Sequence, residues 1–420
     1  MSESDFDFEI VVIGAGPAGL AAACVAAEYG KAVALVDETP WLGGQIWRGQ
    51  QSKPSHREAQ SWFQRLRRSG AKLFGGTTVI VAPRPGSILA EDATGSHEFR
   101  WQKLIIATGA RELFLPFPGW TLPGVLGPGG LLALAKNGWP LHDKRIVIAG
   151  SGPLLLAAAD GLQSHGARII CIVEQTPWFK LLEFGFGLRH FPNKILQATG
   201  LLNRLIGTPF HAGAWVIAAE GENQIRSVSL SNGERIWREE CDLLVNGFHL
   251  IPNVELPLLL GCELEDGFVR VDQWQATTVA NVFCAGEPTG IGGAECALIE
   301  GEIAGLAAAG QATPAEALFA RRSSWHRFRI ALASAFPLRP ELNALASDDT
   351  MVCRCEDVSM GRLRQFKGWR EAKLHSRCGM GPCQGRVCGA ATKVVFGWKA
   401  ESIRPPILPA RVGSMISHSK

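Results

Sequence analysis

Between Ile10 and Ala27 the chain runs eighteen residues without a charge, IVVIGAGPAGLAAACVAA. By length alone that run reaches the threshold of a membrane span. Its interior says otherwise. Ile10–Ile13 is a short β-branched run, Gly14, Gly16, Pro17 and Gly19 punctuate a turn, and small residues follow with no polar face. That order predicts a buried strand, a tight turn and a buried helix, then a second strand at Val33–Val36. The flanking MSESDFDFE is acidic where a secretory signal is basic, so no leader is expected. The same pattern returns in KRIVIAGSGPLLLAAADGL (144–162), with a further strand at Arg168–Val173. KLIIATGARE (103–112) and TTVANVFCAGEPTGIGGAECALIEGEIAG (277–305) each open on a β run, and the second continues through a glycine turn into a small-residue helix. FPGWTLPGVLGPGGLLALAKNG (117–138) is dense in Pro and Gly and reads as a crossover, and a strand–turn–strand is expected around Gly233.

The predicted class is therefore α/β, with a discontinuous first nucleotide-binding domain (1–118 and 241–310) and a second inserted in it (119–240). Residues 311–349, rich in Ala, Arg and Ser, read as a partly helical linker. A small helical module at 350–400 and a tail at 401–420 complete the chain.

Composition narrows the function classes. With 420 residues, 46% of them hydrophobic, the chain can bury two or three cores. A net charge of +3 with 19% charged residues gives no footprint for nucleic acid or an anionic membrane. Six of the 11 cysteines (Cys24, Cys171, Cys241, Cys262, Cys284 and Cys296) are scattered in apolar surroundings and read as core residues. The other five, Cys353, Cys355, Cys378, Cys383 and Cys388, crowd one short stretch. That lopsided usage suggests a reducing compartment and a metal site, not a disulfide framework. A cytoplasmic location is expected, with any membrane association peripheral and through partners.

The first glycine turn has the order that dinucleotide binding requires. Gly14 permits the turn, Gly16 admits a pyrophosphate, Gly19 lets helix pack on strand, and the helix start at Pro17 and Ala18 offers N–H groups and a positive dipole end. The strand that follows ends in Asp37 and Glu38, where a carboxylate can accept from a ribose. In the second unit Gly150 and Gly152 are present, Leu155 replaces the third glycine, and Glu174 ends the next strand. Glu174 would repel a 2′-phosphate. Three readings stay open there: NAD, another adenine nucleotide, or a retained fold without ligand. No C-x2-C or C-x4-C pair precedes residue 353, and neither a His-Glu-x-x-His nor a Gly-x-Ser-x-Gly motif occurs. Disulfide, zinc-protease and serine-hydrolase chemistry therefore lack support.

In the cysteine stretch, Cys353-x-Cys355 falls below the C-x2–4-C spacing usual for structural zinc, which favours an iron–sulfur cluster over zinc. The glycines around Cys383 would let backbone amides face thiolates. Which four of the five thiols would serve is open, since 378–383 and 383–388 are both C-x4-C.

Several segments carry a resemblance. The first turn together with Gly44 and Gln45 of WLGGQIWR, Ala107-Thr108-Gly109, and Gly286-Glu287 resembles the two-dinucleotide-domain (Rossmann-like) flavoproteins, to which glutathione and thioredoxin reductases belong. The resemblance implies FAD at the first turn, with Gly286 and Glu287 closing over the ribityl chain; Glu287 stands where that family has Asp. The cysteine module is similar to bacterioferritin-associated ferredoxin and, more closely, to the C-terminal domain of the large chain of anaerobic glycerol-3-phosphate dehydrogenase. RCGMGPCQGRVC (377–388) carries the match, which implies a 2Fe-2S cluster on Cys353, Cys355, Cys383 and Cys388, with Cys378 extra. As a whole the chain resembles the α subunits of heteromeric FAD/2Fe-2S amine dehydrogenases: D-hydroxyproline dehydrogenase, dye-linked proline dehydrogenase, opine oxidase and hydrogen cyanide synthase. This implies an oxidoreductase acting on CH–NH groups. The partners it implies are a small ferredoxin-like subunit, together with a flavoprotein β subunit that carries the amine-oxidising site. NAD, ATP, or FMN at an interface are the candidates for a second nucleotide. The competing reading is a self-contained NADH-dependent FAD/2Fe-2S oxidoreductase.

Overall fold

The computed structural model describes residues 4–52, 54–399 and 403–416. The chain divides into two compact units, residues 1–111, 252–329 and 402–420 in one, and 112–251 and 330–401 in the other.

The first unit is built on a largely parallel sheet. Its strands run in the order Lys72–Gly75, Val33–Asp37, Ser4–Ile13, Ser96–Ile106, Ser87–Glu91 and Thr78–Val81. Ser96–Ile106 pairs with three strands, Ser4–Ile13 along one side and two more along the other. Its first half pairs antiparallel with Ser87–Glu91, and its last residues pair parallel with Val282–Cys284. Ile10–Ile13 lies beside Val33–Val36 and Lys103–Ile106 in parallel register, so the strand ends carrying Gly14, Asp37 and Ala107 align at one edge. Strands buried on both faces read as the continuous apolar runs seen in the sequence.

Helix Pro17–Glu28 is buried from Pro17 to Ala27, with no polar stripe to expose. It packs on helix Gly293–Ala308, and the glycines of the second helix allow the approach. A Cβ on Gly301 would stand 2.1 Å from the Ala18 carbonyl oxygen, and one on Gly305 2.5 Å from that of Ala22. Residues 403–416, expected as a tail, return to this unit: Ile407 is buried and its N–H donates to Ile80 O at 2.9 Å.

The second unit has a parallel sheet ordered Phe210–Ala212, Arg168–Glu174, Arg145–Gly150, Leu243–Gly247 and Val125–Leu126. The expected boundary at 240/241 is displaced: Leu243–Gly247 pairs with Arg145–Gly150, so the inserted unit extends to Ile251. The hairpin expected at Gly233 is present as Ser227–Ser231 and Ile236–Glu240, with Trp215–Glu220 as a third antiparallel strand. Leu155, in the third-glycine place, is buried against Ile146, Ile148 and Ile172. The cysteine module belongs to this same unit. Ala390 and Val394 of its helix Cys388–Phe396 pack with Leu113, Trp215 and Phe248. Among the described residues no helix is long and apolar enough to cross a membrane.

Gly301→Ala should destabilise the protein by about 1–3 kcal/mol, because the added methyl meets backbone. Gly185→Ala, in a helix where nothing lies within 4 Å of the new Cβ, should instead stabilise by roughly 0.5 kcal/mol. Thermal unfolding of the two variants should move in opposite directions; a shared direction would contradict the close helix contact.

Candidate cofactor sites

The first glycine turn is shaped by backbone meeting backbone. Gly14 has φ +104°, and a Cβ there would lie 2.2 Å from Ala107 O; one on Gly19 would lie 1.7 Å from Gly14 O. Gly16 caps helix Pro17–Glu28 with nothing within 4 Å of its own Cβ position, which leaves open space at the helix N-terminus. Two further predicted residues, Gly44 and Gly286, converge there, with Gly43 beside them. The Gly43 N–H donates to Ala15 O at 2.8 Å, and a Cβ on Gly44 would stand 3.0 Å from Gly16 Cα. A Cβ on Gly286, at φ +80°, would come 2.9 Å from the Ala18 Cβ. Gln45 and Glu38 are exposed beside this cradle.

Asp37 acts first on the turn itself. Its Oδ2 accepts from Ala15 N at 2.5 Å, and its Oδ1 accepts from Thr39 N and Oγ1 at 2.8 and 2.6 Å. Thr108 is held by Asn253, whose backbone oxygen accepts from Thr108 Oγ1 at 2.8 Å and whose Nδ2 donates to Thr108 O at 2.8 Å. The Asn253 N–H closes the set on Gly109 O at 3.0 Å.

The Gly286–Gly290 loop is fixed by a buried carboxylate that motif reading missed. Glu300 Oε2 accepts from Gly286 N at 2.8 Å and Thr289 Oγ1 at 2.9 Å, while His326 Nε2 lies 2.9 Å from Oε1. Arg329 Nη1 donates to Thr289 O at 2.9 Å. The available signal was a lone glutamate on a helix face of otherwise small and apolar residues, since a buried charge needs partners. Glu287, next to Gly286, accepts at Oε1 from Gly293 N at 3.1 Å, yet its buried Oε2 has no partner among the described residues. Burial pushes its carboxyl up to about 7, partly offset by the Gly293 N–H. A dinucleotide with a hydroxylated chain fits these features: an open helix N-terminus for its phosphates and an unmatched acceptor for a hydroxyl.

The second turn is engaged by the protein itself. A Cβ on Gly150 would lie 1.7 Å from Gly247 O. Glu174 is buried, and its carboxylate accepts from Gly152 N at 2.6 Å and Thr176 N at 2.8 Å. Gln175 Nε2 donates to Ser151 Oγ and to Pro337 O, both at 3.0 Å, and its Oε1 accepts from Arg339 N at 2.9 Å. The segment 336–339 thus lies against the turn, with the Phe336 ring 3.9 Å from the Cβ position of Gly152.

In the cysteine module the five thiols form two groups. Cys353, Cys378 and Cys388 are buried, with their sulfurs all within 4.8 Å of one another. Cys355 and Cys383 pair closer to the surface, where the Cys383 N–H donates to the Cys355 sulfur. Hydrogen bonds from the Cys378 and Cys388 thiols, joined by the Gly379 and Glu356 N–H groups, draw the Cys353 thiol below the usual thiol range. The thiolate is the ligating form. A Cβ on Gly381 would stand 2.3 Å from the Cys355 Cβ, and one on Gly379 2.6 Å from the Trp369 ring, so both glycines make room for the thiols and their packing. This donor set of convergent sulfurs and amides is compatible with an iron–sulfur cluster. The six scattered cysteines are all buried.

The fold and first turn define a class. Residues 8–311 match the pyridine nucleotide-disulphide oxidoreductase family, and the chain belongs to it. Membership implies FAD. More particularly, the chain is similar along nearly its whole length to an opine oxidase subunit of Rhizobium meliloti, 32% identical over 97% of this chain and 98% of that one. Hydrogen cyanide synthase subunit HcnB of Pseudomonas aeruginosa is likewise 32% identical, over 90% of each. Among solved structures, L-proline dehydrogenase from P. horikoshii superposes with a TM-score of 0.72 over 99% of this chain and 80% of that one. Its 18% identity speaks to fold alone.

Glu287 leads to a pH dependence of stability. Below pH 4.5 its carboxyl is protonated in folded and unfolded chains alike. Between pH 4.5 and about 7 the unfolded chain releases the proton and the folded one keeps it. Stability of the flavin-free protein should therefore fall as pH rises through that window, by at most about 3 kcal/mol. Urea unfolding across the window should show a smaller fall for Glu287→Gln than for wild type; equal falls would refute the assignment.

Proposed function

We propose that this chain is the cofactor-bearing, electron-transfer subunit of a multi-subunit flavin and iron–sulfur dehydrogenase. The complex oxidises a C–N bond in an opine or a proline-like amino acid. The observation that carries the reading is the end-to-end match to an opine oxidase subunit, in a chain that gathers five thiols in one module behind a flavin-type cradle. Bound flavin supplies an acceptor for an electron pair and an iron–sulfur centre passes electrons singly.

The chain's own residues have definable tasks. The Gly14–Gly19 turn and the start of helix Pro17–Glu28 offer N–H groups to a pyrophosphate, Asp37 holds that turn closed through Ala15, and the exposed Glu38 would accept from a ribose. Glu287 offers its unmatched oxygen to a ribityl hydroxyl, on a loop that Glu300, His326 and Arg329 keep rigid. Cys353, Cys355, Cys383 and Cys388 are the thiols that would hold a 2Fe-2S cluster. The relatives are subunits of larger enzymes, and the amine-oxidising site is assigned to a separate flavoprotein partner. A small ferredoxin-like chain is a further partner.

The competing reading, a free-standing NADH-dependent reductase, needs a working second turn. Glu174 is the carboxylate that would take the ribose, and it is already committed to Gly152 and Thr176. Segment 336–339 also lies where a dinucleotide would approach. We therefore assign the second turn a structural role, with no NAD, and any ATP or FMN bound elsewhere.

Two measurements discriminate. Purified alone and treated anaerobically with NADH, the chain should keep its visible flavin absorbance; rapid bleaching would sink the proposal. Co-purified with the products of adjacent genes, the assembly should be reduced by cyclic or N-substituted amino acids and the isolated chain should not. Reduction of the isolated chain by such an amine would place the oxidising site here instead.

A further inference from the structure

A cluster with two irons takes four thiolates, and this module offers five. The spare thiol is not remote. Thiolates sharing one tetrahedral ion lie roughly 3.8 Å apart, given metal–sulfur bonds of about 2.3 Å. The three sulfurs of Cys353, Cys378 and Cys388, within 4.8 Å of one another, are all close enough to share one metal position. Cys355 and Cys383 form the separate, more exposed pair and would hold the other iron.

Cys378 is placed there by the fold. Helix Trp369–Ser376 ends at Arg377, which takes the left-handed conformation at φ +64°. That reversal turns the next residue inward, and the Cys378 N–H donates to Ser376 Oγ at 3.3 Å. The Cys378 side chain is fully buried. A buried cysteine is ordinarily a small apolar filler. Here its thiol hydrogen-bonds to both Cys353 and Cys388, so it meets the inner metal position and not only the core.

Resting on the reading of this module as a cluster domain, we propose that the inner iron position is served by three interchangeable thiols. Cys378 takes up ligation when either Cys353 or Cys388 is lost. The outer iron has no such reserve, because only Cys355 and Cys383 reach it among the described residues.

The test reconstitutes the full-length chain anaerobically with ferric iron and sulfide, and measures bound iron, visible absorption and the EPR signal after dithionite reduction. Alanine replacements are used so that no serine oxygen can substitute as ligand. Cys378→Ala should bind as much iron as wild type. Cys388→Ala and Cys353→Ala should each retain most of their iron, with shifted absorption and an altered EPR signal, because a new sulfur is bound. Cys383→Ala, and the double variants Cys378→Ala/Cys388→Ala and Cys353→Ala/Cys378→Ala, should lose the cluster. Flavin content and thermal unfolding establish that each variant is folded. If folded Cys388→Ala and Cys353→Ala lose iron as completely as Cys383→Ala does, the proposal is overturned while the cluster reading stands. If wild type itself takes up no iron, the cluster reading fails and this proposal with it.

Discussion

The near-contact of helices Pro17–Glu28 and Gly293–Ala308 is the constraint on which the first unit depends. Gly301 and Gly305 let the second helix approach the Ala18 and Ala22 carbonyls at distances no side chain tolerates. One consequence is that Gly286, at the head of the segment leading into the second helix, meets Ala18 at the head of the first. Two glycine segments far apart in sequence, proposed above to receive a pyrophosphate and a ribityl chain, are brought to one place by that packing. The buried Glu300 follows from the same geometry. A loop held this close to a helix start needs its polar groups satisfied, and a carboxylate from within the helix accepts from the Gly286 N–H and the Thr289 hydroxyl together.

The two glycine turns show how similar motifs come to differ. Each ends its following strand with an acid, and each acid bonds an N–H of its own turn. At the first turn Asp37 is partly open and Gly16 faces free space. At the second, Glu174 is buried, and Gln175 ties the turn to Pro337 and Arg339. Leu155 is consistent with that outcome, because a side chain in the third-glycine place fills the core of a unit kept for its packing. The inserted unit then serves as the support on which helix Cys388–Phe396 rests, through Ala390 and Val394.

The cysteine module has a small apolar core of its own, in which Cys353, Cys378 and Cys388 are buried with Val352, Val358, Met360 and Leu363. Its glycines serve the thiols: Gly381 lies against Cys355, and Gly379 and Gly385 lie against the Trp369 ring. Amides of Gly379, Glu356 and Cys383 face sulfur. Such donors offset the negative charge that thiolates gather, as iron–sulfur sites require.

Much of the scaffold was legible in the chain alone. The strand–glycine–helix order at Ile10–Ala27 and its echo at 144–162 are local patterns, and period and turn chemistry report local structure faithfully. The five clustered cysteines were legible for the same reason. What lay beyond the sequence were decisions made by contacts distant along the chain. The strand Leu243–Gly247 joined the inserted sheet because its partner is Arg145–Gly150. The C-terminal residues returned to Ile80, and Glu300 acquired Gly286 and His326. Glu174 has the same sequence context as a ribose-binding acid, yet only burial and its partners show it occupied. Likewise, spacing offered two C-x4-C pairs. Only the turn at Arg377, which sends Cys378 inward beside Cys353 and Cys388, set the third thiol at the inner position. Residue type and spacing determine which groups are available, and tertiary packing decides which of them meet.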